Sequence, residues 1–428
     1  MSKDSDAGIA PPVESGSGWW APGGALFLAR AGDALLRFGL FFATAKLLEP
    51  ASFSLYALIT AALATCQWLL ALGAPRVALY FHARGERGAL YAWLYVLAGT
   101  ASGLVLLSVA MLPPIRAVFF RGIPDGLVLL GLSPLPFLLV GDSLGAALVA
   151  ARRTRTYGAS LWIRNLASAL VLATAPLASN RLAWVLWGRL LTVGAIAVLL
   201  VLASRAVPEW KRLGDFAPEA IRYGGPTAIS SGAVALHRRA DVLLLSAFGR
   251  TPEIGAYSLA QAIAETFWLV TDSLENALFV DVARLEEARA RSEAWRAVRL
   301  YLWLGLAGLA IGVLGGELLI RIFFKDYPSA SGFLPWLVAA TVAWGVARPF
   351  FSYLSSQGFV RAAMLCNAAG LAINVAFCLL WIPAWGALGA ARACLVSYAA
   401  QSVVFWAAFR RAGAAGLAQA EAEGSPLR

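Results

Sequence analysis

The sequence predicts an all-α, polytopic membrane protein with about twelve transmembrane helices in two six-helix bundles, related by a pseudo-twofold axis along the membrane normal. Three observations predict this fold. The chain of 428 residues is 60% hydrophobic and 14% charged, with a mean hydropathy of +0.71, which is more apolar surface than a soluble domain buries. The apolar runs are about twenty residues long and do not alternate, which favours helices over barrel strands. The chain also repeats itself.

Twelve segments are long enough to cross a bilayer as helices. They are residues 22–45, 53–80, 90–111, 126–150, 158–177, 182–204, 221–248, 254–280, 300–323, 332–356, 362–382 and 387–409. Proline and glycine at Gly225-Pro226 and at residues 134–136 predict bends within two of these spans. The predicted regions are a disordered tail (1–20), an N-terminal bundle (21–204), a linker (205–218), a C-terminal bundle (219–409) and a second tail (410–428). Residues 1–18 lack the pattern of a cleaved signal peptide, so we expect the first span to be retained.

The internal repeat has a shift of about 201 residues, since Arg37 aligns with Arg238 and Tyr56 with Tyr257. Asn165 aligns with Asn367 one position out of step. Each half holds an even number of spans, so both halves enter the membrane from the same side and are parallel repeats. Such an arrangement predicts a cavity between two bundles.

Positive charge is unevenly distributed over the loops. The net charge is +11, and the loops on the side of the termini carry roughly twice as many Lys and Arg residues as the opposite loops. This asymmetry predicts that both termini are cytoplasmic. The same clustering of basic residues in loops accounts for the positive net charge, so we do not expect nucleic acid to be a partner.

Charged residues inside the spans are the candidate functional residues. Each costs about 2.5–3.5 kcal/mol at the centre of a spanning helix, so such residues usually face a cavity or a partner. The first, seventh and eighth spans carry them at helical spacing. The predicted substrate-binding residues are Arg30, Arg37, Arg238 and Arg239. The predicted charge-balancing or coupling residues are Asp33, Asp241, Glu265 and Asp272.

Other intramembrane charges have alternative explanations. Arg238 and Asp241 are one helical turn apart and could form an internal ion pair. Arg76 and Arg164 are expected to extend to the membrane surface from the ends of their spans. Glu317 and Arg321 are expected to pair with each other. The sequence leaves open which way four deeper residues face: Asp142, Arg189, Arg348 and Arg392.

Motifs of enzymes are absent from the sequence. It has no GxxxxGK[ST] phosphate loop, no HExxH and no CxxC. The four cysteines, Cys66, Cys366, Cys378 and Cys394, all lie within apolar runs, where we interpret them as small core residues. We therefore predict no catalytic residue, no metal site and no cofactor.

Three segments resemble a known family in their order and spacing. They are residues 47–56 (LLEPASFSLY), 239–260 and 374–391, and Arg152-Arg153 after the fourth span also fits. The chain resembles the polysaccharide-transporter flippases of the multidrug/oligosaccharidyl-lipid/polysaccharide exporter superfamily over nearly its whole length. It departs from the family pattern at Glu49, Ser54 and Arg392.

The resemblance implies a flippase of the bacterial inner membrane that moves undecaprenyl-pyrophosphate-linked oligosaccharides by alternating access, for O-antigen, capsule or exopolysaccharide synthesis. The implied partners are the lipid-linked substrate, membrane lipids, glycosyltransferases and a polysaccharide polymerase. Two alternatives stay open. One is a cation-coupled drug or metabolite antiporter of the same superfamily, whose cavity would carry net negative charge. The other is a membrane polymerase or ligase, which would need a long external loop with catalytic residues.

Reporter fusions test the predicted orientation. Because the loop charges place the termini in the cytoplasm, fusions after Arg155, Arg212, Arg291 and Arg411 should report a cytoplasmic position. Fusions after Arg121 or Arg250 should report an external one. An external signal from the fusion after Arg411 would contradict the predicted number of spans.

Overall fold

The computed structural model describes residues 20–422 except 84, 283, 284 and 286. Within that range the side chains of residues 20–30, 83, 226–227, 269–270, 272–273, 276–277, 279–281 and 413–422 are outside the description. The described chain is helical and contains no strand. Eight of its helices are long and apolar enough to cross a membrane. Together with the two bundles described below, this confirms the predicted fold class.

In the part of the chain that the structure describes, the N-terminal bundle holds nine α-helices. They are α1 (Trp20–Leu47), α2 (Pro50–Leu70), α3 (Ala74–Ala83), α4 (Arg87–Met111), α5 (Pro113–Phe119), α6 (Asp125–Leu132), α7 (Leu135–Ala150), α8 (Thr154–Thr174) and α9 (Arg181–Ser204). The pairs α2–α3 and α6–α7 each form one span. We call the side of the protein at which α1 ends the distal side, and the side at which α1 begins the terminal side.

The C-terminal bundle repeats this pattern. Its helices are α10 (Leu213–His237), α11 (Ala240–Ala247), α12 (Thr251–Val282), α13 (Glu287–Phe323), α14 (Ala330–Ser356) and α15 (Val360–Ala422). Gly386, with φ of 55°, divides α15 into two spans, α15a before it and α15b after it. The candidate charged residues lie on α1, on α12 and around the break between α10 and α11.

The breaks within spans agree only in part with the prediction. The bend at residues 134–136 is confirmed, because α6 ends at Leu132 and α7 begins at Leu135. At Gly225-Pro226, where a bend is predicted, α10 is not interrupted. The seventh span instead breaks at Arg238-Arg239, where the Arg239 amide bonds the Leu236 carbonyl three residues back at 3.1 Å. A further break, at Leu72-Gly73, separates α2 from α3, and both residues have positive φ.

The pseudo-twofold axis passes close to Ser54 and Gly255. These residues differ by the repeat shift, and the Gly255 amide donates to the Ser54 hydroxyl at 3.0 Å. Equivalent positions of two repeats can touch only near the axis that relates them. A side chain at position 255 would not fit, because a Cβ atom there would lie 2.7 Å from the Ser54 Oγ. Glycine at this position therefore allows the two bundles to approach closely.

Several hydrogen bonds join the bundles on the distal side. Lys46 Nζ donates to the Phe323 carbonyl at 2.6 Å, and the Tyr327 hydroxyl donates to the Ala45 carbonyl at 3.1 Å. Ser246 Oγ donates to the Phe119 carbonyl at 2.7 Å. On the terminal side Tyr80 of α3 stacks on Tyr223 of α10, with ring centroids 4.2 Å apart. Between these ends α2 carries most of the interface, against α10 and α12.

Candidate functional site

A group of charged and polar side chains, the N-bundle charge cluster, surrounds the buried carboxylate of Asp33 on α1. Its members are Asp33, Arg37, Gln67, Asp142, Arg164 and Asn165. Arg37, one turn later, contacts Asp33 Oδ2 at 2.9 Å. From α8, Arg164 Nη2 and Asn165 Nδ2 both donate to Asp33 Oδ1, at 2.7 and 2.9 Å. Only 5% of the Asp33 side chain is exposed, so these donors must offset the cost of burying its negative charge.

The position of Arg164 corrects the prediction that it extends to the membrane surface. It lies ten residues into α8, about 15 Å from the start of that helix. Its side chain is 21% exposed and ends on Asp33. The close packing of α1 on α8 makes this possible, since Gly32 lies against the indole of Trp162. A buried acid on a neighbouring helix attracts this arginine more strongly than the distant water does.

Asp142 on α7 completes the N-bundle charge cluster. Gln67 Nε2 of α2 donates to Asp142 Oδ2 at 2.5 Å. Asp142 and Arg164 line the same small cavity between α7, α8 and α9, together with Tyr157 and Ser160. The cluster thus contains two acids and two arginines, and its formal charge is zero. Arg37 is an open member, with 60% of its side chain exposed, and its described ion pair is with Asp33.

The C-bundle charge cluster lies at the break between α10 and α11. Arg239 donates from Nη1 and Nη2 to both carboxylate oxygens of Glu265 on α12, at 2.8 and 3.1 Å. Arg238 lies 3.6 Å over the ring of Trp268, also on α12. Because the helix is interrupted at these two residues, both guanidinium groups can reach the same neighbouring helix. The sequence predicts Arg238, Arg239 and Glu265 as site residues, and the structure brings them together.

Asp241 does not share this position. The break turns Asp241 into the interior of the C-terminal bundle. Asp241 is fully buried. It accepts hydrogen bonds from the Tyr257 hydroxyl, from Gln261 Nε2 at 3.3 Å and from the Cys394 thiol at 3.2 Å. These donors satisfy the Asp241 carboxylate, so it does not need the alternative ion pair with Arg238.

His237 lies in a buried polar network beside Asp241. Its Nε2 is 3.0 Å from the Ser397 hydroxyl, which accepts from Asn374 Nδ2 at 3.1 Å. One side of the imidazole packs on Tyr398, with ring centroids 4.4 Å apart. The network ties α10 to both segments of α15. It stabilises the interior of the bundle rather than lining the space between the bundles.

The remaining candidates occupy distinct places. Arg348 on α14 pairs with Glu275 on α12, and Arg189 donates to the Thr60 hydroxyl at 2.8 Å. Glu317 and Arg321 form the local pair that the sequence predicts. The side chains of Arg30 and Asp272 lie outside the described residues.

Sequence reasoning missed four members of the N-bundle charge cluster: Gln67, Asp142, Arg164 and Asn165. Asp142 and Arg164 carried a signal as charged residues within spans, and Asn165 carried one through its alignment with Asn367. The structure shows why the two positions match, since each asparagine bonds the first span of its own half. Asn165 donates to Asp33, and Asn367 Nδ2 donates to Ser230 Oγ on α10 at 3.3 Å.

The family model described as "polysaccharide biosynthesis protein" matches residues 20–270. The chain belongs to this family. The match includes the N-bundle charge cluster, Arg238, Arg239 and Glu265. No curated protein sequence is similar enough to the chain to be matched.

Solved structures of the MOP superfamily share the fold. "Lipid II flippase MurJ, inward closed conformation" has a TM-score of 0.73 and 13% identity, over 89% of this chain and 86% of that one. An inward-facing multidrug resistance MATE transporter also has a TM-score of 0.73, with 12% identity, over 90% of this chain and 95% of that one. A MOP transporter from Pyrococcus furiosus, described as having a binding pocket of reverse polarity, has a TM-score of 0.61 and 13% identity over 91% and 95%. The chain is therefore a multi-pass membrane protein of a transporter fold, and its relatives in this fold are transporters and flippases.

The pair between Arg239 and Glu265 can be tested by a double-mutant cycle. Glu265→Gln leaves a half-buried guanidinium without its acid, and Arg239→Gln leaves the acid without its cation. Each single change should therefore lower the midpoint of thermal unfolding in detergent, and the double change should cost less than the sum. We expect a coupling energy of roughly 1–3 kcal/mol. Strictly additive effects would show that the two side chains do not stabilise each other.

Proposed function

We propose that the protein is a flippase that moves undecaprenyl-pyrophosphate-linked oligosaccharides across the bacterial inner membrane, with both termini in the cytoplasm. The observation that carries the proposal is the pair of repeat-related arginines Arg37 and Arg238 deep within the membrane. Arg37 lies ten residues, or about 15 Å, from the distal end of α1. An arginine with a largely exposed guanidinium at this depth is suited to an anionic substrate.

A pyrophosphate group matches this chemistry. Guanidinium groups bind phosphate oxygens through paired, charge-assisted hydrogen bonds, and the gain offsets the cost of holding the arginine in the membrane. Arg37 uses a single nitrogen on Asp33 among the described contacts, which leaves its other donors for a ligand. The contact with the Trp268 ring holds the Arg238 guanidinium beside α12.

The surrounding acids have a supporting role in this proposal. Asp33 and Glu265 hold Arg37 and Arg239 in place and reduce the local positive charge before substrate binds. Arg30 would meet the substrate nearer the cytoplasmic side, and Asp272 or Asp241 would take part in charge balance or coupling. The domains follow the bundles, with residues 21–204 and 219–409 moving about the linker 205–218. Glycosyltransferases would supply the substrate and a polymerase would use it.

The proposal is supported by the family and by the fold. The family is one of polysaccharide biosynthesis, and one similar structure is a flippase of lipid II. A lipid-linked substrate suits an architecture of two bundles, because the lipid can stay in the bilayer while its polar group crosses between them.

A cation-coupled antiporter is the second candidate, and Asp142 is the observation that favours it. This carboxylate is exposed and its direct contact is the neutral amide of Gln67. A drug cation could bind there. The same side chain also lies beside Arg164, however, and the N-bundle charge cluster has no net negative charge to attract cations.

Substitution of the repeat-related arginines tests the proposed function. Arg37→Ala and Arg238→Ala should each abolish export, and lipid-linked oligosaccharide should accumulate on the cytoplasmic face of the membrane. Lysine at either position should restore little export, because a single ammonium does not reproduce the planar fork of a guanidinium. Radiolabelled lipid-linked intermediates give the measurement. The matched control is Arg321→Ala, which removes an exposed arginine paired with Glu317 at the distal end of α13.

The amount of each variant in the membrane must be measured in the same cells. Normal export by correctly inserted Arg37→Ala and Arg238→Ala variants would show that these arginines are structural. Loss of drug efflux with unchanged polysaccharide export would favour the antiporter.

A further inference from the structure

Arg392 lies on the outward surface of the C-terminal bundle, far from the charge clusters. It belongs to α15b, which is hydrogen-bonded to α10, α11 and α14 through Ser397, Cys394 and Ser402. Ala399, Val403 and Trp406 follow Arg392 at intervals of seven, four and three residues, so all four share one helical face. The three later residues are exposed and apolar, with Val403 60% and Trp406 38% exposed. In a multi-pass membrane protein such a face contacts lipid.

The depth of Arg392 corresponds to the head-group boundary of the distal leaflet. It is six residues, or about 9 Å, beyond the break at Gly386. Side chains on a helix lean towards its N-terminus, and α15b begins on the distal side. The guanidinium therefore extends from a position inside the hydrocarbon towards the distal surface. There it meets Trp385, which is 47% exposed and precedes the break.

Two indole rings flank the guanidinium. Its Cζ lies 5.0 Å from the ring centroid of Trp336 on α14 and 4.9 Å from that of Trp385. Stacking of this kind fixes the plane of the guanidinium and leaves its N–H groups to bond in that plane. Tryptophan at this depth is typical of the membrane interface.

Arg392 has no carboxylate within ion-pair distance in the part of the chain that the structure describes. Its Nε is buried and has no hydrogen-bond partner there. The nearby acid Glu253 is already engaged, because it pairs with Arg250 at 3.3 Å and accepts from the Ala387 amide at 2.6 Å. The buried Nε cannot reach a ligand outside the protein, but the rest of the guanidinium has no described carboxylate to neutralise it, so a cation at this lipid-facing position is suited to an anion from outside the protein.

We propose that Arg392, Trp336 and Trp385 form a binding site for the phosphate of a membrane glycerophospholipid in the distal leaflet. The phosphodiester accepts hydrogen bonds from the guanidinium edge, and the acyl chains lie along the apolar face of α15b. The bound lipid joins α14 to α15b beside the break at Gly386. This site is separate from the proposed pyrophosphate site, since it faces the bilayer and not the space between the bundles.

Native mass spectrometry of the purified full-length protein tests this proposal, with phosphatidylglycerol as the probe. Arg392→Gln should weaken retention of one phosphatidylglycerol molecule by about tenfold, which corresponds to the loss of one charge-assisted hydrogen bond. Trp385→Leu should weaken it less, because the charge remains. Arg321→Gln is the matched control, since that arginine is distal and exposed but paired with Glu317, and it should leave retention unchanged.

Two further probes identify the recognised group. Diacylglycerol, which lacks the phosphate, should bind without sensitivity to Arg392→Gln. Inorganic phosphate should not displace the lipid, and full displacement would show a site for free anions and overturn the assignment to lipid. Unchanged phosphatidylglycerol retention by Arg392→Gln would also overturn the proposal. If that variant does not fold, Arg392→Lys decides the question, because a point charge without the planar fork should retain the lipid more weakly than arginine does.

Discussion

The energy of holding arginine inside a membrane constrains the functional region of this protein. Each such residue must find an anion, an aromatic face or water. The structure shows all three solutions. Arg164 and Arg239 end on buried acids, Arg238 stacks on an indole, and Arg37 has one contact to Asp33 and is otherwise exposed. Under the proposed function, the exposed Arg37 is available to the substrate, whereas Arg164 is held by Asp33.

The helix break at Arg238-Arg239 determines which charges can act together. It places two consecutive guanidinium groups on the same face of α12, with Glu265 and Trp268 as their contacts. It also turns Asp241 into the bundle, where Tyr257, Gln261 and Cys394 satisfy it. Irregular backbone at this depth is tolerated because it lies within protein, where side chains satisfy the freed groups. Gln261 does this directly by donating to the Arg238 carbonyl at 3.2 Å.

Composition and the repeat were sufficient to predict the all-helical fold and its two bundles, because both depend on patterns about twenty residues long or longer. The sequence did not predict the contact between Ser54 and Gly255, although the two positions differ by the repeat shift. Sequence patterns of this length do not predict which side chains contact each other. Arg164 looked like a residue near a span end, and its contact with Asp33 depends on how α1 packs against α8. Whether Gly225-Pro226 or Arg238-Arg239 interrupts the seventh span likewise depends on tertiary contacts that no local pattern records.

The contacts between the bundles indicate how the proposed transport could proceed. The distal hydrogen bond from Lys46 to the Phe323 carbonyl is exposed, so it can break at modest cost, whereas the bond from Tyr327 to Ala45 is buried. The contact of Ser54 with Gly255 lies near the axis, where relative motion of the bundles is smallest. This arrangement suits two bundles that rock about a shared line.

The most direct test of the central claim is translocation by the purified protein in liposomes. The probe is undecaprenyl-pyrophosphate linked to a fluorescent oligosaccharide, and an impermeant quencher added outside reports how much label reaches the outer leaflet. We expect the wild-type protein to make the inner-leaflet label accessible to the quencher. Arg37→Ala and Arg238→Ala should remove this effect, whereas Arg321→Ala should not. Inner-leaflet label that stays protected with the wild-type protein, as in protein-free liposomes, would contradict the account.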